Sequence, residues 1–344
     1  MKKIIYVRLN QTISNQVELN LARLKSALEK LGVIGEYRSY NIKFDPENPY
    51  QEFWFSRQVA KQKKKDEIYI STNLISTADI YIASDGVRQL YEKTKRFWYL
   101  SFKNFINFRL EKKCLQNAKL IIAQSQMVKR QIIDNFDIRE KNISVIPNGI
   151  NLPKSVQKAE AKTEFCDKFG FDIEIPIILF VANDFEKEGL EAFLKILSQL
   201  TNKYNAIVIG DDIELNKYKN LAKKLGVSVA FMGEQRNISK FYEASDLFLY
   251  PVVYEPFGNA VLEAMSYGCA VVTTAQCGAS ELLSDKYFVL KNQNDTNAVK
   301  IVNDLLEKPE LMNKFGLTNI EISHNFTIER NAQLTLKVIN AYIH

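Results

Sequence analysis

The sequence predicts an α/β protein built from two doubly wound domains, and three observations carry that reading. Short apolar runs alternate with amphipathic helical stretches from the first residues onward. The alternation pauses in a polar segment near residue 151 and begins again with an apolar run near residue 175. In the second half a strand, a turn, a helix and another strand follow without interruption, which is one βαβ unit. At 344 residues the chain has room for two domains of ordinary size.

Taken in order, Ile4-Ile-Tyr-Val7 reads as the first strand. Val17 to Leu31 reads as a helix whose apolar side holds Val17, Leu21, Leu24, Leu28 and Leu31. Further strands are expected at Ile68 to Ile70, Ile80 to Ala83, Leu120 to Ala123 and Ser144 to Pro147, with helices between them. Pro147-Asn-Gly149 makes a turn. Asn151 to Lys162, polar and weakly periodic, is expected to be the interdomain linker or the helix approaching it. A second domain opens at Ile175 to Ala182 and continues through Ala206 to Gly210 and Val229 to Gly233. Ala244 to Pro251 and Cys269 to Thr274 are its next strands, and helices over Pro309 to Phe315 and Thr327 to Ile343 close the chain. The expected ranges are 1–155 and 156–326 for the domains and 327–344 for a terminal helix.

Composition narrows the function classes. Hydrophobic residues make up 46% of the chain, as in a packed globular protein, and no run of about 18 uncharged apolar residues occurs. The Met1-Lys-Lys-Ile-Ile-Tyr-Val7 start is too short and β-rich for a secretion signal, so a cytoplasmic protein is expected. Cys114, Cys166, Cys269 and Cys277 have no zinc spacing and read as buried reduced thiols. The only histidines, His324 and His344, lie at the end of the chain, which argues against a histidine metal site or a Ser-His-Asp triad. Net charge is +6, with basic residues clustered in two places. Lys61-Gln-Lys-Lys-Lys65 reads as a solvated loop. Residues 93–113 interleave Lys93, Lys95, Arg96, Lys103, Arg109, Lys112 and Lys113 with Phe97, Trp98, Tyr99, Phe102, Phe105 and Phe108. That mixture is expected at an anionic membrane surface, although Phe97, Phe105 and Phe108 at helical spacing equally suit a core. Nucleic acid is the weaker partner, because no recognised nucleic-acid module accompanies the segment.

The chemistry concentrates in Glu255-Pro-Phe-Gly-Asn-Ala-Val-Leu-Glu263, where two carboxylates eight residues apart flank a turn that opens a helix. Pro256 is expected in the first helical turn, and Gly258 lets a ligand approach the backbone. The helix N-terminus suits a pyrophosphate, and Glu255 and Glu263 remain as acceptors for hydroxyls. Phosphate and hydroxyls together mean a nucleotide sugar.

Extended through Gly268 and Cys277-Gly-Ala-Ser-Glu-Leu282, this motif resembles the donor half of the retaining glycosyltransferases of family 4, which have the GT-B fold. The resemblance implies two Rossmann-like domains facing across a cleft, with acceptor on the first and donor on the second, and a last helix that crosses back to the first. It assigns sugar hydroxyls to Glu255, the ribose to Glu263, and the phosphates to the backbone amides of Phe257, Gly258 and Asn259. Family members usually place an arginine and a lysine after the first strand of the second domain. Here Val181-Ala-Asn-Asp-Phe-Glu-Lys-Glu-Gly189 has Asn183 and Glu188 at those positions. The lipopolysaccharide core glucosyltransferase branch departs similarly, and by that likeness Lys187 and Lys217 are the cations at the diphosphate. The same branch has a strand ending in an aspartate, matched by Ala78 to Asp85, so Asp85 is expected to orient or deprotonate the acceptor hydroxyl. Paired glycines common after the first strand are replaced by Ile13-Ser-Asn15. The motifs require no metal or other cofactor, and Asp211-Asp212 is adjacent rather than an Asp-x-Asp pair.

The resulting expectation is a hexosyltransferase, with UDP-glucose as donor and a lipopolysaccharide or lipooligosaccharide core as acceptor. It would be peripheral at the inner face of the cytoplasmic membrane. A degenerate family member acting as a binding or scaffold subunit, and a nucleotide-sugar epimerase on the same architecture, are the alternatives.

Overall fold

A computed structural model describes residues 3–9, 16–40, 48, 50–95 and 97–343. Ile13-Ser-Asn15, Arg96 and His344 lie outside the described residues, as does the side chain of Val17. The chain forms two compact units, one comprising residues 1–149 with 328–344 and the other residues 150–327.

The first unit runs β1 (Lys3–Arg8), α1 (Gln16–Lys30), β2 (Gly35–Ser39), α2 (Gln51–Gln62), β3 (Glu67–Ser71), β4 (Ile80–Ile82), α3 (Arg88–Glu92), α4 (Phe102–Asn117), β5 (Leu120–Ala123), α5 (Gln126–Phe136) and β6 (Ile143–Val145). Its sheet is parallel in the order β2-β1-β3-β4-β5-β6. Residues of β3, β4 and β5 are buried throughout, as both faces of such a sheet are covered. On α1, Leu21 and Leu28 are buried and Leu24 packs against the same cluster, but Leu31 lies past the helix end and is 42% exposed. The Lys61–Lys65 run is not wholly a solvated loop. Its first two residues finish α2, and the Lys63 ammonium donates to the Thr77 carbonyl and pairs with Asp79.

The second unit runs α6 (Lys158–Phe169), β7 (Ile177–Val181), α7 (Leu190–Leu197), β8 (Asn205–Ile209), α8 (Leu215–Leu225), β9 (Ala230–Phe231), α9 (Ser239–Ala244), β10 (Leu247–Tyr250), α10 (Asn259–Ser266), β11 (Ala270–Thr274), β12 (Val289–Leu290), α11 (Ala298–Leu306) and α12 (Pro309–Ser323). Its parallel sheet has the order β12-β11-β10-β7-β8-β9. The order reverses between β7 and β10, and ligands of open α/β sheets sit at such a switch point, beyond the carboxyl ends of the strands. Helix α6 occupies part of the expected linker, and α12 runs eight residues beyond its expected end at Phe315.

The last helix, α13 (Ile328–Ile343), belongs to the first unit, where Ile328, Ala332 and Ile339 are buried in the same cluster as Tyr6, Leu21 and Leu28. The four cysteines are free and buried.

Candidate functional site

Strand β10 ends in a buried Tyr250, and the following turn is tied to the segment after β11. The Glu255 N–H donates to the Gln276 carbonyl at 2.9 Å, and the Gly278 N–H donates back to the Glu255 carbonyl at 2.9 Å. The Ala279 N–H and the Cys277 thiol both donate to the Phe257 carbonyl. Phe257 itself is 2% exposed and packs with Ile150 and Leu262, so the turn rests on the core rather than on its own sequence. Gly258 has φ 98° and caps α10, whose first helical residue is Asn259. Pro256 is therefore outside the helix and not in its first turn, because the left-handed Gly258 separates the two. Among the described residues nothing accepts from the N–H groups of Phe257 or Gly258. Unpaired amides at a helix mouth are ready donors to an anion.

The turn after β7 meets this one across the switch point. Gly189, at φ 88°, approaches so closely that an added Cβ would lie 2.1 Å from the Pro251 carbonyl oxygen, and the Val253 N–H donates to the Lys187 carbonyl at 3.0 Å. That contact brings the Lys187 ammonium to 3.7 Å from a Glu255 carboxylate oxygen, with both side chains about one quarter exposed. Glu188 turns inward instead. Its Oε2 accepts from the N–H groups of Asn183 and Asp184 at 2.7 and 2.8 Å, and its Oε1 accepts from the Tyr250 hydroxyl at 2.6 Å. Burial, and then the nearby Glu255 carboxylate, push the Glu188 carboxyl up to about 7. Asn183 is exposed.

Glu263 sits four residues into α10, partly buried, with Tyr242 of α9 beneath it. Burial and then Glu263 drive the pKa of that tyrosine well above its usual value. Lys217 pairs first with Glu214, and Glu186, next to Lys187 in the turn after β7, is among the carboxylates that raise its pKa. It lies on the surface of α8, 53% exposed, with its ammonium 2.8 Å from Glu214.

Asp85 follows β4 in the first unit, one strand away from the switch between β1 and β3. Its carboxylate takes the Arg88 Nε and Nη2 at 3.0 and 2.5 Å, and the Arg88 Nη1 reaches Glu52 of α2 at 2.6 Å. Glu111 of α4, 1% exposed, accepts the N–H groups of Arg88 and Gln89, and burial raises its carboxyl to about 7. Asp85 is thus one arm of an ion-pair network, with both Arg88 contacts on its Oδ2. Sequence reasoning missed Arg88, although the Asp85-x-x-Arg88 spacing was visible. It also missed the Glu188–Tyr250 contact, which joins residues 62 apart and has no local signal.

The aromatic segment is exposed. Phe97, Tyr99, Leu100, Phe102 and Phe105 are 52 to 72% accessible, while Phe108 packs partly under Trp98. Tyr50, just before α2, and Phe53 and Trp54 within it are also exposed, with the Tyr50 ring 6.0 Å from that of Phe102. Lys93 lies over Trp98 and Arg109 over Phe105. Among the described residues no helix is long and apolar enough to cross a membrane, and no group of three or more His, Cys, Asp or Glu side chains is placed to hold a metal ion.

Fold and motif together are those of a two-domain α/β protein with an anion-ready helix mouth at a sheet switch point, and comparison with known proteins shows similarity to glycosyltransferases. Residues 161–321 match the family described as "Glycosyl transferases group 1", and residues 86–154 match "Glycosyltransferase Family 4". The lipopolysaccharide glucosyltransferase WaaG of Escherichia coli K12 is 27% identical over 245 residues, which is 65% of this chain and 63% of that protein. A crystal structure of WaaG, "a glycosyltransferase involved in lipopolysaccharide biosynthesis", superposes with a TM-score of 0.81 at 18% identity, covering 98% of this chain and 99% of the other. HepE of Anabaena, solved with UDP and glucose, gives a TM-score of 0.76 at 17% identity over 99% of this chain and all of the other. The matched stretches span 44 to 63% of the first three curated relatives. The chain thus has the GT-B fold, with a group 1 glycosyltransferase match over 161–321 and a family 4 match over 86–154.

Proposed function

We propose that the chain transfers a hexose, glucose from UDP-glucose, to a sugar of a lipopolysaccharide or lipooligosaccharide core or a related lipid-linked glycan at the inner face of the cytoplasmic membrane. The observation that carries this reading is the meeting of Lys187, Glu255 and the open amides of Phe257 and Gly258 at the β7–β10 switch point. Glu255 holds sugar hydroxyls, Glu263 holds the ribose, and the N–H groups at Phe257, Gly258 and Asn259 take the phosphates. Negative charge grows on the departing diphosphate during transfer, and Lys187 with the helix mouth offsets it without a metal. Lys217 adds a second cation if it leaves Glu214. Asp85, held through Oδ2 by Arg88, orients the acceptor hydroxyl. The UDP of HepE supports the nucleotide, the name of WaaG supports glucose and the core acceptor, and the exposed aromatic and basic surface supports membrane association.

Incubation with labelled UDP-glucose and truncated core acceptor is expected to yield a labelled glycan. Glu255→Gln should lower kcat by about 10² or more, as loss of a preorganised polar contact does, with the fold unchanged by circular dichroism. Glu188 in place of a cation favours a second reading, a binding subunit without turnover. Nucleotide binding with no transfer from any sugar nucleotide would establish that reading and overturn the first.

A further inference from the structure

Resting on the donor-site reading above, we propose that Glu188 couples donor binding to proton uptake: it positions the turn after β7 through its carboxylate, and it takes a proton from solvent when a diphosphate settles beside Lys187. The argument begins with charge. At the switch point the Lys187 ammonium pairs with Glu255, and Glu255 in turn acts on the Glu188 carboxyl, so two carboxyl groups share one neighbouring cation before any ligand arrives. A nucleoside diphosphate ester brings two more negative charges into the same partly buried space. Repulsion of that kind is relieved when the carboxyl nearest to neutrality protonates.

Glu188 is that group. The charged and titratable groups facing it are Glu255 from the turn before α10, Tyr250 of β10 and Tyr242 of α9, while Asp184 in its own turn offers its backbone N–H. None of these is a cation, and the ammonium of the adjoining Lys187 is paired with Glu255. Burial and Glu255 already hold the Glu188 carboxyl at about 7.

The hydrogen bonds locate the proton. Oε2 accepts two backbone N–H groups and has no room for a hydrogen, whereas Oε1 faces a single hydroxyl. A protonated Oε1 donates to the Tyr250 oxygen, whose own hydrogen rotates away, and Oε2 keeps both amides. The turn is therefore held in either state, and only the charge changes. Glutamine reproduces the neutral form, with its carbonyl oxygen on the amides and its NH2 on Tyr250.

Calorimetry with UDP-glucose tests the proposal, because that ligand has no group titrating near neutral pH. At pH 7.5, repeated in buffers of differing ionisation enthalpy, the wild-type protein should take up roughly half a proton on binding, and its affinity should fall severalfold from pH 6.5 to 8.5. Glu188→Gln should bind without uptake, with a flat pH profile and with affinity above wild type at pH 8.5. Glu111 titrates in the same range but lies in the other unit, so the difference between the two proteins isolates Glu188. Binding by both proteins with equal proton uptake overturns this inference alone. Failure of both to bind UDP-glucose, UDP or other sugar nucleotides overturns the donor site itself.

Discussion

Gly258 adopts φ 98°, and a Cβ built there would lie 2.6 Å from the Cys277 sulfur, closer than such atoms pack. Any other residue must either leave the left-handed region or displace the segment that holds Glu255 in place. Gly258→Ala is therefore expected to cost about 1–3 kcal/mol in urea unfolding of this unit. It should also weaken UDP-glucose binding by about tenfold or more, because the Phe257 and Gly258 amides move with the turn. Unchanged affinity would separate the turn from the ligand. This part of the site was legible because it is local: acid, Pro-Phe-Gly, helix and acid fall within nine consecutive residues. Glu188 was legible only as a departure. Its role depends on Tyr250 and on two amides, and side-chain pairing across a sheet leaves no mark on sequence spacing.

Helices α2 and α4 share a surface that neither reveals alone. The aromatic and basic composition of residues 93–113 was plain in the sequence, but it suited a core as well as an interface, and exposure removes the core reading for Phe97 and Phe105 but not for Phe108. The contribution of α2 and the residue before it went unread because Tyr50, Phe53 and Trp54 lie some fifty residues upstream and reach the patch only through the fold. Strand β2 was missed for another reason. Gly35-Glu-Tyr-Arg-Ser39 is a polar edge strand, without the apolar run that marked its buried neighbours. The membrane proposal is tested at this scale. The wild-type protein is expected to co-sediment with vesicles containing anionic lipid, less so at high salt. Phe102→Ser with Phe105→Ser removes two exposed rings worth about 1.5–3 kcal/mol each when buried, so partitioning should fall by at least about tenfold. Trp54→Ser should weaken it further, since the surface spans both helices. Sedimentation unaffected by all three changes would exclude this face as the membrane contact.

At the scale of the whole molecule, the second unit leaves and re-enters the chain at one place. Ile150 bridges Thr327, and the Ile150 N–H donates to the Phe326 carbonyl at 3.0 Å. Repetition of the strand and helix pattern announced two domains, whereas the apolar spacing of the last helix says only that one side of it is covered, not by which domain. The structure assigns that helix to the first unit, so residues 150–327 are a continuous segment with adjoining ends and their own core. A segment closed in this way is expected to fold when expressed by itself, with cooperative urea unfolding. Lys187, Glu188, Glu255, the Phe257–Asn259 amides and Glu263 all lie within it. Its affinity for UDP-glucose should therefore remain within about tenfold of the full chain, a difference of no more than about 1.4 kcal/mol, while transfer to any acceptor is lost. A folded 150–327 segment that no longer binds the nucleotide would mean that the donor depends on groups from residues 1–149 or 328–344, and the assignment of the donor to the β7–β10 switch point would then be incomplete.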